Sequence, residues 1–331
     1  MHLLQPELHT RRAFLRRSTQ LGLAGTALPF ALNLAAMGEA AAFTATDYKA
    51  LVCVFLYGGN DYANTVVTYD DDSYNRYSTI RGGGSGQTAG GIALAKADLT
   101  PTLLTPTAAL PGNRQYALHP AMTGLTGLFN SGKAAVQLNV GPLVVPLTRT
   151  QYNSADRTTY PIPPKLFSHN DQQSVWQSSS PEGSTVGWGG NIGDLALSSN
   201  GNSLFTCISV TGNAVFLSGD SALQYQVSTN GAVAINGVKS NVYGSSAVRG
   251  ALSALIQQPS AHSLENEYTR VTTRAVTSES QITSALAGST LGTVFPTSNS
   301  LADQLKMVAR LIGARNTLGS KRQVFMVSLG G

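Results

Sequence analysis

The sequence is poor in cysteine and in charged residues. Its 331 residues include two cysteines, Cys53 and Cys207, too few for a disulfide-stapled scaffold or a zinc site built on several cysteines. Charged residues make up 12% of the chain and hydrophobic residues 42%, a balance that excludes a disordered polypeptide. The chain therefore has enough apolar material for a large core that needs no covalent support.

A basic patch is also missing. The formal charge is +5, but four arginines and two glutamates in the first 42 residues already account for +2 of it. The remaining +3 is spread over 289 residues, and lysines and arginines do not cluster there. Nucleic-acid-binding proteins carry a concentrated basic surface, so we expect no nucleic acid partner.

The N-terminal segment has no apolar run long enough to span a membrane. The uncharged run over residues 21–37 is shorter than the ~20 residues that a spanning helix needs. Before it, residues 10–16 read TRRAFLR, and three alanines follow at 40–42. This layout predicts a twin-arginine signal peptide over residues 1–42. We then expect the twin-arginine translocase as a partner, a periplasmic or extracellular destination, and no stable membrane span after cleavage. The alternative is an amphipathic first helix with basic residues.

The mature chain alternates unbroken apolar runs with helical patterns. Runs without polar alternation indicate strands covered on both faces, as in a parallel sheet between layers of helices. Residues 51–57 form such a run, and residues 134–140 and 323–329 are further candidates for buried strands. Apolar residues at helical spacing occur at 119–132 and 300–314, and residues 167–178 and 247–288 also have a helical pattern. Together they predict an α/β fold.

Local signals refine this outline. Residues 203–245 form a strand-rich segment with runs such as FTCISV and AVFLSG, either an insertion or additional strands of the sheet. Residues 81–91, RGGGSGQTAGG, favour a surface loop over a phosphate-binding glycine loop. Ser300 and Asp303 are spaced as a helix capping pair. His119, before a helix, is more typical of a structural cap than of a ligand.

The first candidate site is the GGND segment at residues 58–61, which directly follows the first predicted strand. In open α/β sheets, ligands bind beyond the carboxyl ends of strands. The amide of Asn60 and the carboxylate of Asp61 could face a metal ion or a polar substrate there. All four residues are also common in turns, so an ordinary turn is the equal alternative.

The second candidate site lies at residues 167–172, FSHNDQ, at the start of a predicted helix. Ser168 would be a nucleophile and His169 its neighbour, because a helix N-terminus stabilises the negative charge of an attacked phosphate or sulfate. The alternative is a serine that caps the helix, followed by a surface histidine.

The order of these segments resembles a known family. A twin-arginine signal is followed by LVCVFLYGGNDYANTVVTYD, ALHPAM, LFSHNDQQSVWQ and QVFMVSLGG. This order resembles the bacterial domain-of-unknown-function family 1501 along nearly the whole chain. That family looks like a distant branch of the alkaline phosphatase and sulfatase superfamily. The resemblance implies a three-layer sandwich with a mixed, mostly parallel sheet and helices on both faces.

The resemblance also implies roles for individual residues. Asp61, with Asn60, would bind a divalent metal ion such as Zn²⁺, Mg²⁺ or Ca²⁺, Ser168 would attack, and His169 would transfer a proton or bind metal. The implied function is metal-dependent hydrolysis of phosphate or sulfate esters of small molecules or polysaccharides. The rival reading is a non-catalytic binding or assembly module at the cell envelope.

One departure from the family concerns the last residues. In the family, the final pair of glycines is followed by a segment like FDTHDNQ, whose Asp and His resemble a second set of metal ligands. The present sequence ends at Gly331. We therefore expect residues 43–331 to be the N-terminal portion of an alkaline-phosphatase-like domain, incomplete as a two-metal enzyme.

Overall fold

The computed structural model describes residues 45–58, 60–82 and 90–330. They fall into two compact units. The first unit combines the chain up to Phe55 with Pro142–Leu329, and the second contains Leu56–Gly141. The predicted signal peptide, Gly59, most of the glycine-rich loop and Gly331 lie outside the described residues.

The described residues form the following strands and helices. The strands are β1 (Lys49–Leu56), β2 (Val66–Thr68), β3 (Tyr116–Leu118), β4 (Cys207–Ser209), β5 (Gln224–Gln226) and β6 (Arg322–Leu329). The α-helices are α1 (Tyr62–Thr65), α2 (Asp71–Arg81), α3 (Lys96–Leu99), α4 (Thr123–Asn130), α5 (Arg149–Tyr152), α6 (His169–Ser178), α7 (Trp188–Ala196), α8 (Asn236–Lys239), α9 (Ser246–Ile256), α10 (Ser263–Ala287) and α11 (Ser300–Gly313).

A four-stranded sheet, ordered β1-β6-β4-β5, forms the centre of the first unit. β4 runs parallel to both of its neighbours, with Ile208 opposite Phe325 on β6 and Tyr225 on β5. The sheet is thus mostly parallel and flanked by helices, which confirms the predicted α/β class.

Side chains of β6 alternate between two apolar clusters. Phe325 and Val327 pack in one cluster with residues of α10 and α11. Val324 and Met326 pack in the other with residues of α7. Every residue of β6 before Leu329 is buried, because both faces of the strand are covered. This is the physical reason for the unbroken apolar run in the sequence.

The two longest strands are joined at the amino end of β6 by contacts between residues far apart in the chain. The Arg322 guanidinium donates to the Asp47 carboxylate at 2.8 Å. The Tyr48 hydroxyl donates to the Gln323 side-chain carbonyl at 2.7 Å, across 275 positions of sequence. The central sheet of the first unit is therefore built from both ends of the described chain.

Asn200 ties the start of β6 to the residue before β4. Its Oδ1 accepts from the backbone N–H groups of Lys321, at 2.7 Å, and Arg322, at 2.9 Å. Its Nδ2 donates to the Arg322 carbonyl at 2.8 Å and to the Thr206 hydroxyl at 2.7 Å. One half-buried amide thus makes four hydrogen bonds that fix where β6 begins.

Glycines of α7 let that helix lie against the segment that follows β4. A Cβ at Gly190 would come within 2.1 Å of the backbone of Ser218, and one at Gly187, just before α7, within 2.1 Å of the Val215 carbonyl. The helix backbone therefore touches the backbone of residues 215–219, an approach that only glycine permits.

The second unit is built around the antiparallel pair β2 and β3, with Val67 opposite Ala117. Both residues are fully buried and pack with Tyr74 of α2 and with Leu99. Tyr77 strengthens this packing, because its hydroxyl donates to Asn64 at 2.6 Å and accepts from Leu94 N–H at 2.8 Å.

Several local predictions are confirmed and several are wrong. The strands at 51–57 and 323–329 and the predicted helices are present, and His119 caps the 3₁₀ helix Pro120–Met122 through Nδ1. The strand predicted at 134–140 is absent: those residues are largely exposed, with Val136, Leu138 and Val140 at 38%, 41% and 50%, and no strand among the described residues bonds them.

The segment 203–245 has fewer strands than its composition suggests. It contributes β4 and β5 to the sheet, but the AVFLSG run forms the 3₁₀ helix Val215–Leu217. The capping prediction for α11 is wrong by one position, since the Asn299 side chain accepts from Ala302 N–H and Ser300 is already helical. The apolar composition of the AVFLSG run predicted a strand, but its backbone hydrogen bonds form a 3₁₀ turn instead.

In the part of the chain that the structure describes, no helix combines the length and apolar character that crossing a membrane requires.

Candidate functional site

Asp61 and Asn60 form the N-terminal cap of α1 in the second unit. Asp61 Oδ1 accepts from the backbone N–H of Ala63 at 3.2 Å. Asn60 Oδ1 accepts from the Thr65 hydroxyl at 2.9 Å. Both side chains therefore hold one turn of helix, which is the common role of Asn and Asp at this position.

The second oxygen of Asp61 is also engaged. Oδ2 forms an ion pair with the Arg81 guanidinium, which comes from the last residue of α2. The Arg81 side chain is 21% exposed, and its buried Nε has no hydrogen-bond partner within the described residues. The positive charge opposite Asp61 is therefore that of the Arg81 side chain.

These contacts do not fit a metal ion at Asp61. A divalent ion needs several oxygen, nitrogen or sulfur donors directed at one point. Within residues 45–58, 60–82 and 90–330, no three His, Cys, Asp or Glu side chains converge in this way. An ion at Asp61 would have to displace Arg81.

Ser168 is the N-cap of α6 in the first unit. Its Oγ accepts from the backbone N–H of Asp171 at 3.4 Å, and its own N–H donates to the Lys165 carbonyl at 3.0 Å. Ser168 is half-buried. The predicted position at a helix start is confirmed.

The helix start beside Ser168 has free hydrogen-bond donors. The backbone N–H groups of His169 and Asn170 have no partner among the described residues, as expected for the first turn of a helix. Both residues are exposed. Two amides and the positive end of the helix dipole are therefore available to an anion next to the Ser168 hydroxyl.

Asp171 is a member of this cluster that the sequence did not single out. Its carboxylate is buried, accepts from Glu182 N–H at 3.1 Å and lies 3.5 Å from the Lys165 ammonium. A hydrogen bond from the Ser168 side chain, the Glu182 N–H and the Lys165 charge together lower the pKa of Asp171, although burial opposes them. The position of Asp171 three residues after the cap was the signal in the sequence, because acidic residues are favoured in the first turn of a helix.

The predicted site residues are divided between the two compact units. Asn60 and Asp61 share the cap of α1 in the second unit, and Ser168 and His169 lie at the start of α6 in the first. The structure joins Ser168 to Asp171 and Lys165 by hydrogen bonds and charge. His169 adjoins Ser168 in the chain, with its side chain exposed.

No protein-family model, curated protein or solved structure matched the chain. The resemblance to family 1501 and its superfamily therefore stays a prediction.

Proposed function

We propose that the chain is an exported protein that hydrolyses phosphate or sulfate esters, with Ser168 as the attacking group. The observation that carries this proposal is the start of α6, where the hydroxyl of the half-buried Ser168 adjoins two backbone amides that have no partner among the described residues. A helix N-terminus binds the oxygens of phosphate and sulfate, and it stabilises the charge that grows on them during attack.

The chemistry proceeds in two displacements. Ser168 Oγ forms a bond to phosphorus or sulfur, and the bond to the leaving alcohol breaks. Water then attacks the covalent intermediate, which releases phosphate or sulfate and restores the serine. The amides of His169 and Asn170 would hold the equatorial oxygens, the Asp171 carboxylate would accept the proton of the Ser168 hydroxyl, and the His169 imidazolium would protonate the leaving oxygen. In the second displacement the His169 imidazole would take a proton from the attacking water, and Asp171 would return its proton to the serine.

The proposal assigns no step to a metal ion. Asn60 and Asp61 were predicted as metal ligands, but the Arg81 ion pair and the cap of α1 already engage their side chains. The proposed chemistry therefore uses residues of the first unit.

The finer fold assignment and the export route belong to the same proposal. A mostly parallel sheet whose side chains enter apolar clusters on both faces supports an alkaline-phosphatase-like three-layer sandwich. The TRRAFLR motif supports twin-arginine export to the periplasm or beyond.

A second candidate function is a non-catalytic binding or assembly module at the cell envelope. The observation that favours it is the saturation of the predicted metal ligand, because Asp61 has one oxygen on Ala63 N–H and the other on Arg81. Under this reading Ser168 only caps α6.

Substitutions at two capping serines distinguish these functions. Ser168→Asn keeps a side chain that caps equally well but removes the nucleophile, whereas Ser168→Thr keeps a hydroxyl. Ser245→Ala shows the effect of losing a helix cap elsewhere, since Ser245 caps α9 through Val248 N–H at 3.3 Å. The full chain is assayed with 4-nitrophenyl phosphate and 4-nitrophenyl sulfate.

If Ser168 attacks, Ser168→Asn lowers kcat at least about a hundredfold while the melting temperature stays near that of the native chain. The Ser168→Thr and Ser245→Ala chains keep more of the activity. A native chain without turnover would support the non-catalytic module, and a Ser168→Asn chain with full turnover would reject Ser168 as the attacking group.

A further inference from the structure

The long helix α10 carries an exposed row of apolar side chains in its N-terminal half. Four residues follow one another at alternating spacings of four and three positions, which places them on one face of the helix: Leu264, Tyr268, Val271 and Ala275. The first three are 76%, 68% and 49% exposed, and the alanine is exposed as well. We call this row the α10 stripe.

The same spacing continues into the core of the first unit. Ser278, Ile282 and Ala285 extend the row and are buried, and the last two pack in the cluster shared with α11 and β6. The neighbouring helix α9 lies against another side of α10, where the buried Thr269 donates its hydroxyl to the Gln258 carbonyl at 3.1 Å. One face of α10 is thus covered in its second half and open in its first, which is typical of a surface that binds a protein.

The order of side chains in the α10 stripe is self-complementary in an antiparallel pair of helices. Leu264 and Ala275 are equally far from the centre of the stripe, which lies between residues 269 and 270, and the same holds for Tyr268 and Val271. A twofold axis at that centre sets Leu264 against the second copy's Ala275, and Tyr268 against its Val271. Each layer then combines a larger with a smaller side chain, as interdigitated packing requires.

The charges beside the α10 stripe favour the same arrangement. Glu267 and Arg274 each come one position before a stripe residue, so they lie along the same edge of the stripe. Arg274 is half-buried and makes no ion pair with any residue that the structure describes. Glu267 pairs with Arg270 of its own helix at 3.3 Å, and both side chains stay exposed. In an antiparallel pair the same edges of the two helices meet, so Glu267 of each copy comes opposite Arg274 of the other.

We propose that the α10 stripe is the contact surface between two copies of this chain, which pair antiparallel along residues 264–275. The surface is the same patch on both copies, and every contact occurs twice. One helix face per copy buries less than the roughly 800 Å² per partner of a standard interface, so the dimer dissociates in the micromolar range. This inference is independent of the proposed ester hydrolysis, because it uses no residue of α6.

Sedimentation equilibrium of the full chain, at about 1–200 μM, measures the dimer dissociation constant. Tyr268→Lys should raise that constant at least about tenfold, because an ammonium group would be buried in the contact without a partner. Tyr62→Lys makes the same change at a residue of the second unit that is 82% exposed, and should leave the constant unaltered. Leu264→Lys is a second stripe variant, and thermal melting shows which variants are folded.

A charge exchange tests the antiparallel direction. Glu267→Arg alone sets two arginines opposite each other and should weaken the dimer about tenfold, whereas adding Arg274→Glu restores opposite charges and should bring the constant back to within about threefold of the native value. A chain that stays monomeric over the whole concentration range would overturn the inference, whatever else covers the stripe. A dimer that both lysine variants leave unchanged would overturn the assigned surface, and a double variant as weak as Glu267→Arg would overturn the antiparallel pairing.

Discussion

Replacing Asn200 with alanine should destabilise the first unit more than any other single loss of a polar contact described above. The Asn200 side chain links the start of β6 to the start of β4, since it accepts hydrogen bonds from Lys321 and Arg322 and donates to Arg322 and Thr206. Arg322 opens the buried strand β6, and Thr206 stands directly before β4.

The magnitude follows from the number of bonds and from the burial of their partners. Each hydrogen bond contributes about 0.5–1.5 kcal/mol net, and a buried group left without a partner costs about 1–3 kcal/mol. Thr206 is fully buried and Arg322 is 9% exposed, so water replaces the lost bonds poorly at those two residues. Lys321 is exposed and can bond water. We therefore expect Asn200→Ala to lower the free energy of unfolding by about 2–4 kcal/mol.

Urea unfolding monitored by tryptophan fluorescence measures this loss. Both tryptophans, Trp176 and Trp188, lie in the first unit, and the Trp188 ring meets Phe216 edge-on at 4.4 Å. Their emission therefore reports the unit that contains Asn200. Asn213→Ala is the control, because Asn213 is exposed and its Oδ1 accepts one bond, from Gln224 at 2.9 Å.

The reasoning would be refuted if Asn200→Ala lay within about 0.5 kcal/mol of the native chain, the range of ordinary surface substitutions. A loss of unfolding free energy equal to that of Asn213→Ala would also refute the reasoning. Either result would mean that the junction between β6 and β4 is held by other contacts.

Two further predictions concern a pair of glycines and one buried acid. Gly190→Ala should destabilise the first unit by about 1–3 kcal/mol because its Cβ would strike the Ser218 backbone. Gly250, in α9, has open space around it, so Gly250→Ala should stabilise the chain by up to about 1 kcal/mol. Equal melting temperatures of the two variants would contradict this prediction. Burial would raise the pKa of Glu279, but hydrogen bonds and charge from Lys239, with other hydrogen bonds, lower it. The stability it contributes is thus present above its unfolded pKa of about 4.3 and is lost as pH falls through the lower folded value. In urea titrations from pH 7 to 3, the gap between the native chain and Glu279→Gln should narrow below about pH 4, and a constant gap would count against the assignment.

The main elements could be predicted because their sequence patterns are local. Residues 324–327 in the middle of β6 are all apolar since both faces of the strand are buried, and α11 shows one apolar face at helical spacing. The run at 134–140 has the same composition as a strand, but a strand also needs a bonded neighbour, and composition cannot supply that information.

The contacts of the candidate site were less accessible to sequence reasoning. Ser168 was identified because a cap is read from adjacent residues. Sequence reasoning missed the ion pair of Asp61 because its partner, Arg81, lies 20 positions away. It also missed the hydrogen bond that the Asp171 carboxylate accepts, because the donor, Glu182, lies 11 positions away. Asn200 reads as an ordinary loop residue, and its partners on β6 are up to 122 positions distant.

The adjacency of β1 and β6 determines when the first unit can fold during synthesis. Contacts such as that of Arg322 with Asp47 join residues 275 positions apart. At about 5–20 residues per second, the ribosome takes roughly 15–55 s to make the intervening chain. β1 therefore cannot pair with β6 until long after the predicted signal peptide, only a few residues before β1, has been synthesised. Export of this chain in a folded state, which the predicted twin-arginine route requires, would therefore have to follow the synthesis of β6.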